Sequence, residues 1–168
     1  MDFIFKCATC EEMHRGMPSF GAHEPAHYWS IPEAERAARC ELTSDFARID
    51  EHFFAHGCLE IPVHGTNEVF VWGVWVSLSA ASAKQFLATY HDAQRSHVGP
   101  FFGWLNSSLA PYPETMNLKT QLHLRNDGLR PYIEVEPTDH PLAVEQRNGI
   151  SVERVGSMYS QMMAQFGR

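Results

Sequence analysis

The residues of this 168-residue chain that are best suited to chemistry lie near its start, in the stretch FKCATCEEMH. Two residues separate Cys7 from Cys10, and His14 follows four positions after the second cysteine. Tetrahedral zinc sites are commonly built from such cysteine pairs, because the spacing lets one tight turn direct both sulfurs at a single ion. The spacing therefore predicts half of a Zn²⁺ site, to which His14 adds a third ligand from the same segment.

A fourth ligand has to come from elsewhere in the chain, and Cys58 is the residue that we predict. It shares the polar face of a predicted strand with His52 and His56, and Cys40 is the competing thiol. The predicted metal ligands are Cys7, Cys10, His14 and Cys58. The identity of the third and fourth metal ligands stays open among His14, Cys58, Cys40, His52 and His56.

The same cysteine pair allows a redox interpretation, which the surrounding sequence disfavours. A thioredoxin-like unit needs a βαβ segment before the pair, and only six residues precede Cys7. Gly16 and Pro18 end any helix that follows the pair within about two turns. A short helix supplies little dipole to lower the pKa of a thiol, so a metal site is the preferred interpretation.

Composition limits the classes of partner and compartment. Thirteen Lys and Arg residues against twenty Asp and Glu residues give a formal net charge of -7. This balance disfavours nucleic acid and anionic membranes, so we expect an unidentified protein or a small molecule as the partner. The start, MDFIFKC, lacks the features of a secretory signal, and no apolar stretch approaches the roughly 20 residues that span a bilayer. A cytoplasmic location is therefore predicted, where the four cysteines stay reduced.

We predict a single domain over residues 1–168, in which residues 1–20 form a metal-knuckle segment and residues 21–168 an α+β body. Alternating apolar residues over 52–63 predict a strand with one core face. Residues 68–78 are apolar on both faces and predict a central strand covered on both sides. Because helices and strands do not alternate regularly, the order favours a mostly antiparallel sheet flanked by helices.

Capping residues and spacing predict three of the four helices expected in the chain. Ser30 caps a short helix, with Glu33 placed as in a capping box. Ser79 caps a second helix. A third helix, over residues 151–166, packs an apolar stripe on the sheet, and Gly156 weakens it.

Asp127-Gly128 marks the turn of a predicted β-hairpin, because this dipeptide suits a two-residue turn. The resulting register pairs Leu122 with Ile133 on the core face. The opposite face then pairs Lys119 with Glu136, Gln121 with Glu134, and His123 with Tyr132. We interpret the two glutamates as members of a solvated ion-pair ladder rather than as catalytic carboxylates.

Other candidate side chains are given structural roles. Thr138 or Asp139 caps a short helix through HPLAVEQ. Trp104 belongs to the core, although a groove formed with Tyr112 in its long loop would suit a peptide or a small apolar ligand. No catalytic residue is assigned.

Long stretches of the chain resemble a known family. They are IPEAERAARCELTSDF, HFFAHGCLEIPVHGTNEVFVWGVWVSLS, FFGWL, YPETMNLKT and RPYIEVEPTDHPLAVEQRNGI. The resemblance is to domain of unknown function family 2199, which comprises uncharacterised bacterial proteins, and it covers nearly the whole chain. It implies a bacterial, cytoplasmic domain whose start carries a CxxC pair and a nearby histidine, here Cys7, Cys10 and His14. It implies no activity.

These observations predict an α+β protein with a mostly antiparallel sheet, flanking helices and an N-terminal CxxC knuckle. Its expected function is that of a cytoplasmic bacterial binding or accessory module with a structural Zn²⁺ site. A metal-assisted hydrolase that uses the same N-terminal metal is the alternative. The number of protein ligands distinguishes the two, because a structural site is closed by four and a catalytic site keeps a position for water.

Overall fold

The computed structural model describes residues 3–7 and 12–166, which form ten β-strands and four α-helices. The strands are β1 Ile4–Lys6, β2 Met13–Arg15, β3 Ser19–Gly21, β4 Cys40–Leu42, β5 Phe46–Ile49, β6 His52–Pro62, β7 Val69–Leu78, β8 Phe101–Trp104, β9 Lys119–His123 and β10 Tyr132–Val135. The helices are α1 Glu33–Arg39, α2 Ala80–Ala88, α3 Pro141–Asn148 and α4 Val152–Phe166, and a 3-10 helix covers Ala26–Ser30. None of the helices in the described ranges combines the length and the apolarity that crossing a bilayer requires.

The main sheet has the strand order β3-β7-β6-β10-β9-β8. The β6–β7, β8–β9 and β9–β10 pairs are antiparallel, whereas β3–β7 and β6–β10 are parallel. A hairpin of β4 and β5 joins the sheet where β5 pairs with β6. The α+β class with a mostly antiparallel sheet is thus confirmed, and the two parallel pairs make the sheet mixed.

The last strand of this order returns to β7. Val76 and Leu105 form an antiparallel bridge, and the N–H of Asn106 donates to the carbonyl oxygen of Trp75 at 2.8 Å. Strands β7, β6, β10, β9 and β8 therefore enclose an interior, as the strands of a small barrel do.

Side-chain alternation gives the sheet an inner and an outer face. The inner face carries the main core, whose fully buried members include Leu59, Trp72, Val74, Leu122 and Ile133. The outer face carries a smaller apolar cluster, formed by Ile31, Ala47, Ile49, Phe54 and Trp75. Strand β7 is therefore covered on both sides, as predicted for a central strand.

The β9–β10 hairpin has the predicted register, with Leu122 opposite Ile133. Asp127 and Gly128 have positive φ angles of 60° and 75° within the longer connection. Both residue types tolerate this conformation, which a tight hairpin turn requires at its two central positions. The turn residues and the alternation of the strands thus agree on one register.

Two capping predictions differ in outcome. Ser79 caps α2 as predicted, since its Oγ accepts a hydrogen bond from the N–H of Ser82 at 3.1 Å. Ser30 does not cap α1, because its Oγ donates to the carbonyl oxygen of His27 at 2.6 Å and the helix begins at Glu33. Ser30 ends the preceding 3-10 helix, and its hydroxyl turns back to that helix.

Strands β1 and β2 form a separate hairpin that packs on α4. Phe5 of this hairpin belongs to the main core, and a Cβ at Gly156 would collide with the carbonyl oxygen of Lys6. Gly156 therefore has a packing role that its low helix propensity does not reveal. Cys10 and the loop of the predicted CxxC knuckle, residues 8–11, lie outside the described residues.

Candidate functional site

A cleft opens on the outer face of the sheet, over the middle of β6 and β7. His56 and Cys58 point to this face, because they alternate with inward residues such as Leu59. Gly73 of β7 lies between Cys58 of β6 and Gly21 of β3. Because two of these three paired residues are glycines, side chains fill little of the space above them. We call this space of about 300 Å³ the His56 cleft. Its lining residues are Ser19, Phe20, Gly21, Ala22, His23, Ser44, His56, Cys58, Val71, Gly73 and Arg130.

His56 is the most confined polar residue of the cleft, with 8% of its surface exposed. Its ring stacks on the indole of Trp75, with centroids 4.7 Å apart and planes inclined by 5°. Nδ1 lies 2.9 Å from the carbonyl oxygen of Ser44, which can only accept, so Nδ1 carries the proton and Nε2 presents a lone pair. Burial lowers the pKa of His56, and Arg130 acts in the same direction, although the bond to Ser44 opposes the shift. The ring is therefore neutral at neutral pH.

The lone pair of His56 Nε2 has no partner in the described structure. The atom is buried and makes no hydrogen bond with any residue of 3–7 or 12–166. A Cβ built on Gly73 would stand 3.0 Å from Nε2, so the glycine leaves room in front of the nitrogen. An unpaired buried acceptor costs about 1–3 kcal/mol, and a ligand that donates a hydrogen bond would remove this cost.

Arg130 brings a positive charge to the exposed rim of the cleft. Its Nε donates to Oδ1 of Asp45 at 3.1 Å, and the hydroxyl of Tyr90 donates to Oδ2 of the same carboxylate at 2.5 Å. Burial raises the pKa of Asp45, but the two hydrogen bonds outweigh burial and hold that pKa below its ordinary value. Asp45 is thus ionised and orients Arg130 through Nε, which leaves the terminal nitrogens of the guanidinium for other acceptors.

Cys58 is a half-buried thiol. Burial raises its pKa, although the positive charge of Arg125 acts against this shift. Arg125 is itself paired, since its terminal nitrogen donates to Oε2 of Glu60 at 2.6 Å. The raised pKa leaves little thiolate at neutral pH, so the environment disfavours nucleophilic attack by Cys58.

A second depression, of about 280 Å³, adjoins the cleft at the edge of β7. We call it the apolar groove; its lining residues are Gly21, Ala22, Glu24, Ala26, Trp29, Trp72, Gly73, Ser107, Ser108, Leu109, Met162 and Phe166. It shares Gly21, Ala22 and Gly73 with the His56 cleft. Two aromatic side chains of the groove are largely exposed, Trp29 at 60% and Phe166 at 64%. Clustered exposed apolar side chains are typical of an interaction site.

The predicted metal ligands lie in two parts of the fold. Cys7 follows β1 and is 3% exposed, and its N–H donates to the carbonyl oxygen of Glu12 at 3.1 Å. His14 pairs with Phe5 across the N-terminal hairpin, and the two rings stack with centroids 5.3 Å apart. Since Phe5 and Cys7 are two positions apart on extended chain, Cys7 and His14 share one face of the hairpin. Cys58 points instead to the outer face of the main sheet, away from the core that contains Phe5.

Among residues 3–7 and 12–166, no three His, Cys, Asp or Glu side chains are grouped as a metal ion would require. Because Cys10 lies outside these ranges, the four-ligand Zn²⁺ site stays a prediction. The alternative ligands are dispersed: Cys40 packs against the outer apolar cluster, and the ring of His52 lies edge-on to His27 with centroids 5.4 Å apart. Cys40 and Cys58 are free thiols of the described chain.

For two predictions about polar side chains, the structural role is confirmed but a different residue takes part in it. Glu134 is exposed and lies opposite Gln121 as predicted, but the side chain with which it pairs is that of His123 at 3.5 Å. A side chain caps α3, but the capping residue is His140 rather than Thr138 or Asp139. Its Nδ1 accepts from the N–H of Leu142 at 3.1 Å. Both residues thus have structural partners and no sign of acid–base chemistry.

Trp104 and Tyr112 do not form a groove together. Trp104 is 43% exposed on β8, so the prediction that it belongs to the core is wrong. Tyr112 is buried, and its hydroxyl donates to Oε2 of Glu145 at 2.6 Å. Burial and this hydrogen bond raise the pKa of Tyr112. Arg154 donates to the other oxygen of Glu145 at 2.9 Å, so the cluster ties the loop of Tyr112 to α3 and α4.

Sequence reasoning missed three residues that make the His56 cleft: Ser44, Gly73 and Arg130. One signal was available, because Gly73 interrupts a strand of bulky apolar residues, and such a glycine marks a gap or a close approach. Ser44 and Arg130 carry no comparable signal. They lie on connections that reach β6 only in the folded chain.

Comparison with known proteins gives one match. The sequence profile of a bacterial family, described as "Uncharacterized protein conserved in bacteria (DUF2199)", matches residues 6–150. Neither the curated proteins nor the solved structures give a significant match. The matched range contains every residue of the His56 cleft, whereas Met162 and Phe166 of the apolar groove lie beyond it.

Proposed function

The chain belongs to the DUF2199 family of bacterial proteins, and we propose that it is a binding module that holds a small molecule in the His56 cleft. The observation that carries this proposal is the buried Nε2 of His56, which has no donor within the described residues. Buried polar groups in proteins are nearly always satisfied, so an exception on a cleft wall points to a ligand. The volume of about 300 Å³ suits a small molecule.

Two groups of the cleft define the polar part of the ligand. His56 Nε2 accepts, so the ligand presents a hydroxyl or an N–H to it. The guanidinium of Arg130 donates from its terminal nitrogens, so a carboxylate is the matching acceptor. We therefore infer a small acid that also carries a hydrogen-bond donor.

The chemistry of the cleft favours binding over catalysis. His56 is oriented by the carbonyl oxygen of Ser44 rather than by a carboxylate, so the imidazolium form gains no stabilising charge from its orienting partner. Cys58 supplies the thiol of the lining, and its raised pKa keeps it protonated. The thiol is therefore not activated for attack, and His56 has no acidic orienting partner to stabilise its protonated form.

A test replaces His56 by phenylalanine, which keeps a ring on Trp75 but removes the acceptor. The probes are a panel of small hydroxylated carboxylic acids, including 3-hydroxybutanoate, titrated into ¹⁵N-labelled protein. Binding should shift the amide resonances of Ser44, Gly73 and Arg130. His56→Phe should weaken the affinity about tenfold, because one buried hydrogen bond to the ligand is lost.

The matched control is His52→Phe, since His52 lies on the same face of β6 but does not line the cleft. This variant should bind the acids as the wild type does. Unchanged affinity in His56→Phe would contradict the proposal. So would the absence of shifts near the cleft with every acid of the panel.

We propose in addition that Zn²⁺ held by Cys7, Cys10 and His14 stabilises the N-terminal segment. Three features support this: Cys7 is buried, its N–H closes the chain onto Glu12, and His14 shares its face of the hairpin. Strands of three residues form few ladder hydrogen bonds, so metal binding would add folding free energy. The outer-face position of Cys58 argues against it as the fourth ligand.

Metal content and zinc X-ray absorption of protein purified without chelator test this role. Four protein ligands support a structural site, whereas three and an oxygen favour the alternative, a metal-assisted hydrolase. Cys10→Ser should lose the metal and speed amide exchange over residues 1–20, while the main sheet keeps its protection. Unchanged protection in a metal-free variant would overturn the structural role.

We propose a cytoplasmic location for this module. The free thiols of Cys40 and Cys58 support it, because unpaired cysteines persist in reducing compartments. Fractionation of bacterial cells that express the tagged chain checks the location, and recovery from the periplasm would contradict it.

A further inference from the structure

We infer that the ligand of the His56 cleft is a small amphiphile, whose polar head lies against His56 and Arg130 and whose apolar tail occupies the apolar groove. This inference rests on the proposed function and adds the class of ligand. The cleft supplies the hydrogen-bonding groups, and the groove supplies the apolar surface that small-molecule sites usually have.

Cleft and groove adjoin each other, because Gly21, Ala22 and Gly73 line both. Gly21 pairs with Gly73 across β3 and β7, and a Cβ on Gly21 would meet the carbonyl oxygen of Gly73 at 2.9 Å. The ridge between the two spaces is therefore low and exposed, with only backbone and the methyl group of Ala22, so that one ligand lying across it reaches both. Phe20 of the cleft also stacks with Phe166 of the groove, with centroids 6.2 Å apart, so an aromatic surface runs from one to the other.

The charges fix the direction of the ligand. Arg130 stands at the cleft end, and its Nε donates to the carboxylate of Asp45. Glu24 stands in the lining of the groove and would repel a carboxylate placed there. A ligand with a negative head therefore places that head in the cleft and its tail in the groove.

The exposed rim of the groove agrees with this occupant. Trp29 and Phe166 offer large apolar surfaces to solvent, while Trp72 and Leu109 are buried beneath them. A tail laid between these side chains would remove apolar surface from water on both partners. Each methylene that becomes fully buried should raise the affinity about fourfold.

Three probes separate head from tail: 3-hydroxydecanoate has both, 3-hydroxybutanoate lacks the tail, and decanoate lacks the hydroxyl. Affinities for the wild-type protein are measured by isothermal titration calorimetry below the micelle concentration. We expect 3-hydroxydecanoate to bind at least about tenfold more tightly than either of the others, because each lacks one of the two contacts.

Phe166→Ser tests the groove without disturbing the core, since Phe166 is largely exposed near the end of α4. It should reduce the affinity for 3-hydroxydecanoate about tenfold and leave that for 3-hydroxybutanoate unchanged. Met163→Ser is the control, because Met163 is an exposed apolar neighbour that does not line the groove. It should bind all three acids as the wild type does.

The outcomes distinguish this inference from the proposed function. Equal affinities for the short and the long hydroxy acid, both sensitive to His56→Phe, would overturn the amphiphile and keep the binding module. Equal losses in Phe166→Ser and Met163→Ser would also overturn it. If decanoate binds as tightly as 3-hydroxydecanoate, the ligand hydroxyl does not donate to His56, and that part of the proposed function is overturned. If none of the acids binds, both the amphiphile and the binding module are overturned.

Discussion

The two faces of strand β6 differ in how completely their side chains are satisfied. On the inner face, Ala55, Leu59 and Ile61 are fully buried among apolar neighbours. On the outer face, His56 is buried too, but one of its nitrogens has no donor in the described chain. A fold departs from full satisfaction chiefly where function requires it. The inner face therefore contributes stability, and the outer face carries the unpaired acceptor on which the proposed binding site depends.

The largest expected effect tests the inner face. Leu59→Ala removes a fully buried side chain from the main core and leaves a cavity. We expect the free energy of unfolding to fall by about 2–5 kcal/mol, measured by urea denaturation with an unchanged m-value. A loss below about 1 kcal/mol would show that the surrounding core collapses onto the site and that the inner face is loosely packed.

The next effect comes from adding volume to the same face. A Cβ on Gly57 would lie 2.7 Å from Cδ1 of Ile133 and 3.0 Å from the carbonyl oxygen of Pro131. Gly57→Ala should therefore cost about 1–3 kcal/mol of stability in thermal unfolding. Combining it with Ile133→Ala should recover part of the loss, because the two side-chain atoms that lie 2.7 Å from the added Cβ, Cδ1 and Cγ1, are gone. Simple addition of the two single losses would contradict this contact.

The outer face should respond differently, and His56→Phe sharpens the contrast. The variant loses the hydrogen bond to Ser44 but also loses the unpaired nitrogen, and its ring can still stack on Trp75. These contributions oppose each other, so stability at neutral pH should change by less than about 1 kcal/mol. A loss comparable to that of Leu59→Ala would show that His56 is a core residue like those of the inner face.

The pH dependence of the free energy of unfolding also tests the environment of His56. Burial lowers the pKa of His56 in the folded chain below the value of about 6.5 expected in the unfolded chain. Between these values the unfolded chain binds more protons, so the free energy of unfolding should fall as the pH drops below about 6.5. His56→Phe should reduce this slope without abolishing it, because burial also lowers the pKa of His27. An identical slope in the variant would show that His56 titrates normally.

The smallest effect is expected on the solvent-facing side of the β9–β10 hairpin. Glu134 pairs with His123 at 3.5 Å on the solvent side, and both side chains are substantially exposed. Glu134→Gln should change stability by less than about 0.5 kcal/mol, measured in parallel with the core variants. A loss above about 1 kcal/mol would restore the case for a specific role of this carboxylate.

The sequence by itself determined the elements whose signals are local. Alternation over β6 separated inward from outward residues, and Asp127-Gly128 with the flanking apolar positions gave the register of β9 and β10. Ser79 was recognisable as a cap because its bond to Ser82 spans three positions. Such patterns depend on neighbours in the chain, and this is why they can be predicted from one sequence.

Tertiary structure alone decided the candidate site. Gly73 faces His56 because β6 pairs with β7 at one register, and Gly21 comes beside it because β3 forms a parallel pair some fifty positions away in the sequence. Ser44 fixes the tautomer of His56 from a turn between other strands. The same assembly turned Cys58 away from the hairpin that carries Cys7. These relations arise from which segments pack together, since the burial of distant apolar faces selects the neighbours and no local pattern records them.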